Sequence, residues 1–126
     1  MTRHKIRQDV LWAVEAARDK KAGGVTVLDL STHPTFTDAF VICTGYSSRQ
    51  VQSISDGIEE DLARRGVRPE HSEGHAAGEW VLLDYGSFVV HVFHERARHF
   101  YDLERLWRHV PRVDYPDDVP SEARER

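Results

Sequence analysis

At 126 residues the chain is long enough for one domain of ordinary size and too short for two. Apolar residues and glycines together make up about 46% of it, the range of soluble globular proteins, which excludes global disorder. Seventeen Lys and Arg against 21 Asp and Glu leave a net charge of −4, so the chain as a whole has no attraction for nucleic acid or anionic lipid, and a basic partner is favoured at long range. No window is long and apolar enough for a membrane helix, and the N-terminus runs into an amphipathic pattern where a signal peptide would carry an apolar core. The expected setting is the cytoplasm or, at most, an organelle matrix. The single cysteine, Cys43, excludes an internal disulfide and a four-thiolate zinc site.

In chain order, Ile6, Val10, Ala13, Val14 and Ala17 recur at steps of three and four and predict a helix. Thr2 is its expected cap; Lys20-Lys21 and then Gly23-Gly24 are its expected exit. Val25 to Leu30 is rich in β-branched residues and reads as a strand. Pro34 keeps residues 31–37 a loop. A second strand is predicted over Asp38 to Cys43, broken by Gly45, and Ser47 or Ser48 is placed to cap a helix carrying Val51, Ile54, Ile58 and Leu62 as far as Gly66. Residues 67–79 read as loop with at most a short edge strand. Trp80–Asp84 and Phe88–Phe93, joined at Tyr85-Gly86-Ser87, form the strongest hairpin pattern in the chain. His94 to Val110 reads as one helix with Phe100, Leu103, Leu106 and Trp107 on one face, stopped by Pro111. From Asp114 onward two prolines and seven charged residues leave nothing to bury, which predicts a folded domain over 1–113 and a disordered charged tail over 114–126. The element order predicts a single α/β domain with a mixed central sheet flanked by helices.

Alternation along the strands divides the sheet into two faces. Ala39, Val41, Cys43, Val81, Leu83, Phe88, Val90 and Val92 fall on one face, all apolar, and predict the core. Asp38, Phe40, Ile42, Trp80, Leu82, Asp84, Val89, His91 and Phe93 fall on the other. Unpaired carboxylates are costly to bury, so the second face is expected to stay at least partly open to water or a partner, an aromatic patch rimmed by charge of the kind that binds protein. The competing reading caps Trp80 and Phe40 with a terminal helix.

The chemical motifs are weak. Gly45-Tyr46-Ser47-Ser48-Arg49 lies between a strand and a helix like a nucleophile elbow, but Arg49 replaces the second glycine that such a turn needs. The same turn could cradle a phosphate, yet no strand carries the carboxylate pair that holds Mg²⁺ for nucleotidyl transfer. His71, Glu73 and His75 match no standard metal spacing and read as solvated loop residues. Asp84 and His91 could meet across the hairpin as an acid/base pair or as a structural hydrogen bond. Cys43 falls on the core list and predicts an inert thiol.

Four blocks carry more than spacing: residues Thr37 to Val51 (TDAFVICTGYSSRQV), Glu73-Gly74, Glu79 to Gly86 (EWVLLDYG) with Val89 to Phe93 (VVHVF), and Tyr101 to Trp107 (YDLERLW). Together they closely resemble the Iojap family, the bacterial ribosomal silencing factors, over most of the chain from the first helix to about Val113. Ala39, Cys43 and Tyr46 depart from the residues common there, which are tyrosine, alanine and asparagine. The resemblance implies a nucleotidyltransferase-like fold that has lost catalysis and uses no cofactor or metal. It implies binding to the large ribosomal subunit through its fourteenth large-subunit protein, blocked joining of the small subunit, and lowered translation when nutrients are scarce. The residues it marks for contact are Trp80, Leu82, Asp84, Tyr85, His91 and Glu104, with Asp38 and Thr44 at the margin. It implies no membrane partner and no sequence-specific nucleic acid, and leaves a homodimer of the free protein open. The rival functions are a nucleotide-binding or nucleotidyl-transfer enzyme on the same fold, which lacks its carboxylate pair, and a general RNA-binding assembly factor, which the charge disfavours. Arginine outnumbers lysine 14 to 3, a bias that points to a bacterial cytoplasm over an organelle.

Overall fold

A computed structural model describes residues 7–33 and 36–117. Helix α1 (Gln8–Asp19) leads into β1 (Gly23–Asp29) and β2 (Ala39–Gly45), then α2 (Ser48–Arg64), β3 (His71–Glu73), β4 (Trp80–Asp84), β5 (Phe88–His94), α3 (Glu95–Tyr101), α4 (Leu103–Leu106) and β6 (Arg112–Asp114). The strands form one six-stranded sheet in the order β3-β4-β5-β2-β1-β6. The central pair β2·β5 is parallel and every other pairing is antiparallel, so the sheet is mixed as expected.

The apolar stripes of α1 and α2 pack on the predicted core face. Val10, Ala13, Val14 and Ala17 of α1 and Val51, Ile54, Ile58 and Leu62 of α2 are buried there against Ala39, Val41, Cys43, Val81, Leu83, Phe88, Val90 and Val92. Ser47 caps α2 by accepting from the Gln50 amide at 3.0 Å, as its position suggested. Arg7 stands at the N-cap of α1 without a side-chain cap, and the expected Thr2 cap lies outside the described residues, as do Ile6 and Pro34. The left-handed exit of α1 is made by Lys21 (φ 64°), not by Gly23, which already belongs to β1. Gly24 (φ 52°) instead marks a register shift in the β1·β2 ladder.

Three expectations need correction. The second face is not broadly open: Leu28, Leu30, Phe40, Ile42, Val89 and Phe93 are buried there under Ala97 and Val110, with Leu103 and Trp107 packed against them. This is the capped alternative, and the cap is the C-terminal helical segment. That segment is not one helix. Asp102 adopts a left-handed conformation (φ 48°) and splits it into α3 and α4, so Ala97, Leu103 and Trp107 turn inward while Phe100 and Leu106 are 78% and 70% exposed. The periodicity through residues 100–107 carried no sign of this break, because no Gly or Pro marks it.

The third correction concerns the end of the domain. Arg112–Asp114 pairs with β1 as an edge strand, the Tyr115 amide donates to the Val25 carbonyl at 2.8 Å, and the Asp117 carboxylate accepts from the Gly24 amide at 2.9 Å. Tyr115 packs on the main core. The ordered domain therefore continues past Val113 to Asp117, and residues 118–126 lie outside the described residues. Its few apolar side chains hid this segment, which is held through backbone hydrogen bonds that composition does not reveal.

Val90→Asp, which places a charge in the centre of the helix-covered core, is expected to cost more than about 4 kcal/mol and to unfold or aggregate the protein. Ending the chain at Val113 removes several backbone and carboxylate hydrogen bonds at roughly 1 kcal/mol each, for a fall in melting temperature of about 10 °C. An unchanged melting temperature would show that residues 114–117 contribute nothing to the fold.

Candidate partner-binding face

The helical cap covers β4 only in part. Trp80, Leu82 and Asp84 alternate along β4 on the second face and stay half-buried, while Val81 and Leu83 between them are buried beneath α2. Trp80 sits in an aromatic cluster, its ring centroid 4.9 Å from Phe93 and 4.8 Å from Tyr101. Its indole Nε1 donates to Nδ1 of His91 at 3.1 Å, which fixes the rotation of the ring. Gly74 (φ 89°) closes the loop before β4 in a space where a Cβ would strike the Trp80 carbonyl, so the loop can hug this strand only with glycine there.

Ring contacts continue across the face: Tyr101 to Phe100 at 5.0 Å, His91 to Phe40 at 4.7 Å, Phe40 to Trp107 at 6.0 Å and to Phe36 at 6.3 Å. Phe36, Phe100 and Leu106 stand mostly in water, and Tyr101 is half exposed. Beside Trp80 lies a groove of about 780 Å³ lined with Glu79, Glu95, Arg96, His99, Phe100 and Tyr101. The sequence patterns identified Trp80 and Leu82 but placed Phe100 and Leu106 on a buried helical face and gave no role to Phe36 or Tyr101. The break at Asp102 turns Phe100 and Leu106 outward.

Of the eight residues marked for contact, the structure gathers three on the open edge: Trp80, Leu82 and Asp84. His91 lies beneath them, 4% exposed. Accepting from Trp80 at Nδ1 puts its proton on Nε2, a buried atom without a hydrogen-bond partner among the described residues. Burial holds this imidazole neutral, its pKa pushed down to about 4. It is not paired with Asp84. His91 stands opposite Leu82 in the ladder, and the Asp84 carboxylate accepts from the Gly86 amide at 2.8 Å, closing the hairpin turn. Tyr85 points to the other face, buried and stacked on Phe88 at 4.8 Å, where burial raises its phenol pKa. Asp38 is exposed and enters the sheet beside the same turn, its amide donating to the Ser87 carbonyl at 3.0 Å.

Thr44 and Glu104 belong to a different group, centred on Arg98, which the sequence patterns missed. Arg98 Nε and Nη2 donate to the two Glu104 carboxylate oxygens at 3.1 and 2.9 Å, and Nη1 donates to the Gly24 carbonyl at 2.6 Å and to Thr44 Oγ1 at 3.0 Å. Arg112 adds a second cation to Glu104 at 3.1 Å, and Asp114 accepts from Thr26 Oγ1 at 2.8 Å beside it. Gly24 admits the Arg98 guanidinium, whose Nη1 would lie 3.0 Å from a Cβ there. The hydrogen bond from Arg98 and the two nearby cations hold the Glu104 pKa below the ordinary carboxylate range. Glu104 and Thr44 thus tie α3 and α4 to β1 and β2. Arg98 and Glu104 are six positions apart across the left-handed Asp102, a spacing with no helical or strand signature that could have shown the pair.

The other motifs are structural. Ser47 is occupied as a cap, the Tyr46 amide donates to the Gln50 side chain at 2.8 Å, and a Cβ at Gly45 would press on Val51. Burial pushes the Cys43 thiol up to about 12. His71 pairs with Glu73 and His75 with Asp56, the latter at 2.9 Å, and no group of three metal-ligating side chains forms among the described residues.

The two perturbed groups separate in pH. His91 binds a proton more weakly folded than unfolded, so stability is full above about 6.5 and is lost as the pH falls from there toward 4. Glu104 is also depressed, so its contribution is present above the ordinary glutamate value of about 4.3 and is lost on further acidification. His91→Asn, which keeps an acceptor for Trp80 but cannot titrate, is expected to flatten the stability curve between pH 6.5 and 4. Glu104→Gln should flatten it below that window. Chemical denaturation at a series of pH values measures both slopes, and an unchanged slope for His91→Asn would contradict the buried neutral imidazole.

The family model for "Ribosomal silencing factor during starvation" matches residues 3–126. The chain is 40% identical over 102 residues to ribosomal silencing factor RsfS of Halalkalibacterium halodurans, covering 81% of this chain and 87% of that one. It is 39% identical to the RsfS of Bacillus subtilis over the same length, with 81% and 86% covered. A crystal structure of a protein from Chromobacterium violaceum superposes with a TM-score of 0.79 at 35% identity, covering 94% of this chain and 92% of that one. A matched family model spanning nearly the whole sequence, relatives at this identity and a shared fold agree, and the chain belongs to the ribosomal silencing factor family.

Proposed function

We propose that this protein binds the large ribosomal subunit through the fourteenth large-subunit protein, blocks its joining to the small subunit in the cytoplasm, and so lowers translation when nutrients are limiting. The observation that carries the reading is the half-buried Trp80, fixed by His91 and flanked by Leu82 and Tyr101 where the helical cap ends. A large aromatic held in one rotamer loses little conformational entropy on binding and can fill a pocket on a partner. Exposed Glu70, Glu73 and Glu79 and half-buried Asp84 lie along β3 and β4 on the same edge, and suit a basic ribosomal protein by steering and by rim contacts. Asp38 belongs to the outer margin of this surface. His91, Thr44, Glu104 and Tyr85 act behind it, by positioning. The same uncovered edge is where two free copies would pair as a homodimer, in competition with the ribosome.

A binding role is favoured over the nucleotidyl-transfer alternative by the filled turn before α2. The Gln50 amide donates to the Ser47 hydroxyl and the Tyr46 amide to the Gln50 side chain, and the Arg98 group is already neutralised by Glu104.

Trp80→Ala is expected to weaken binding to purified large subunits by at least about 2 kcal/mol, roughly thirtyfold. It should also lower the melting temperature modestly, because the indole packs on Phe93 and bonds His91. Asp84→Asn keeps an acceptor for the Gly86 amide, so it should fold normally and slow association most at low salt. Sedimentation should find the protein on free large subunits and not on joined ribosomes. Its presence mainly on small subunits or polysomes would overturn the reading.

A further inference from the structure

The open face is divided by charge. Around β3 and β4 it is acidic, with Glu70, Glu73, Glu79 and Asp84. At the far end, beyond Trp107, the signs reverse: between Glu104 and Asp114 the chain carries Arg105, Arg108, His109 and Arg112 and no carboxylate. Arg7, Arg18, Arg64, Arg65, Arg98 and Arg112 are all tied to carboxylates. Arg105 and Arg108 are exposed and have no carboxylate partner among the described residues. With Leu106 and His109 they surround one open concavity of about 430 Å³.

This basic end is continuous with the aromatic face. His109 lies 6.1 Å from Trp107 in a stacked arrangement and 4.9 Å from His33 edge to face, and Trp107 contacts Phe40. Two guanidiniums without carboxylate partners among the described residues, Arg105 in α4 and Arg108 in the turn after it, with imidazoles beside them, form a cationic spot on a protein whose net charge is −4. Guanidinium groups bind phosphate through two parallel N–H donors and are less strongly hydrated than ammonium groups, which favours their use against a nucleic-acid backbone.

We propose that Arg105 and Arg108, with His109, contact RNA phosphates next to the site where the Trp80 edge meets a protein. The inference rests on the ribosomal reading of that edge. A face acidic on one side and basic on the other fits a ribonucleoprotein surface, where a basic protein and the RNA backbone lie side by side. Net repulsion keeps free RNA from binding by itself, so the phosphate contact contributes only after the protein contact has docked the domain. These contacts read no base and add no sequence preference.

The test measures affinity of the full chain for purified large subunits over 50 to 200 mM salt, and separately for the isolated fourteenth large-subunit protein. The wild type, the Arg105→Gln/Arg108→Gln double variant and Trp80→Ala are compared. Both arginines are exposed, so the double variant should keep its melting temperature. Two lost phosphate contacts should lower the slope of log affinity against log salt by about 2 on the subunit. Over that salt range the wild type should then lose about tenfold more affinity than the variant. Binding to the isolated protein should be unchanged. An unaltered slope on the subunit, or an equal loss on the isolated protein, overturns the phosphate assignment, the second by making the patch a contact for acidic protein groups. Failure of the ribosomal reading itself looks different: Trp80→Ala would then bind large subunits as tightly as wild type.

Discussion

The parallel pair β2·β5 at the centre of the sheet is apolar on both sides, and the rest of the structure follows from the need to cover it twice. Val41, Cys43, Val90 and Val92 require one helical layer, and Phe40, Ile42, Val89 and Phe93 require another. The first is met by α1 and α2, 12 and 17 residues long. The second has only α3, α4 and the turn after them, with seven and four helical residues. A layer that short covers β5, β2 and β1 and only part of β4, so Trp80 and Leu82 on β4 are left partly in water. The proposed binding face is what remains of an incompletely covered sheet.

Holding so short a layer in place falls to Arg98. A salt bridge between exposed side chains contributes little, but Arg98 and Glu104 are each only 16% exposed in their side chains and share a two-point contact that also reaches Thr44 and the Gly24 carbonyl. Removing one partner would leave a nearly buried charge without compensation. The network fixes the angle between α3 and α4, and with it the positions of Tyr101 against Trp80 and of Trp107 against Phe40. Glu104 and Thr44 matter to the face without lying on it.

Much of this was legible in the residues. Strand alternation identified the core face residue by residue, because a strand buried on one side must place every second side chain there. The α2 stripe, its Ser47 cap and the hairpin were equally plain. The second face was harder, since alternation shows that a side chain points away from the first core and says nothing of what a later segment lays over it. Phe40 and His91 look the same in sequence whether open or capped. The break at Asp102, the Arg98 to Glu104 pair and the pairing of β6 all depend on contacts distant in the chain and on backbone conformation that no local composition signals. The candidate site was legible as Trp80, Leu82 and Asp84 together. Tyr85 was marked for contact by the resemblance alone; alternation already groups it with Val81 and Leu83 on the core face, where the structure buries it.

Hydroxyl-radical footprinting of the full chain, free and bound to purified large subunits, tests the assignment of the binding face most directly. Oxidation of an exposed ring falls when a partner covers it, and the two faces carry different reporters. Trp80, Phe100 and Tyr101 report on the open face, and Trp12, which lies beneath Arg65 at 4.6 Å on the α1 and α2 side, reports on the other. Protection of the first three with Trp12 unchanged is the result expected. Protection of Trp12 while Trp80, Phe100 and Tyr101 keep their reactivity would place the partner on the helical side of the sheet and contradict the account.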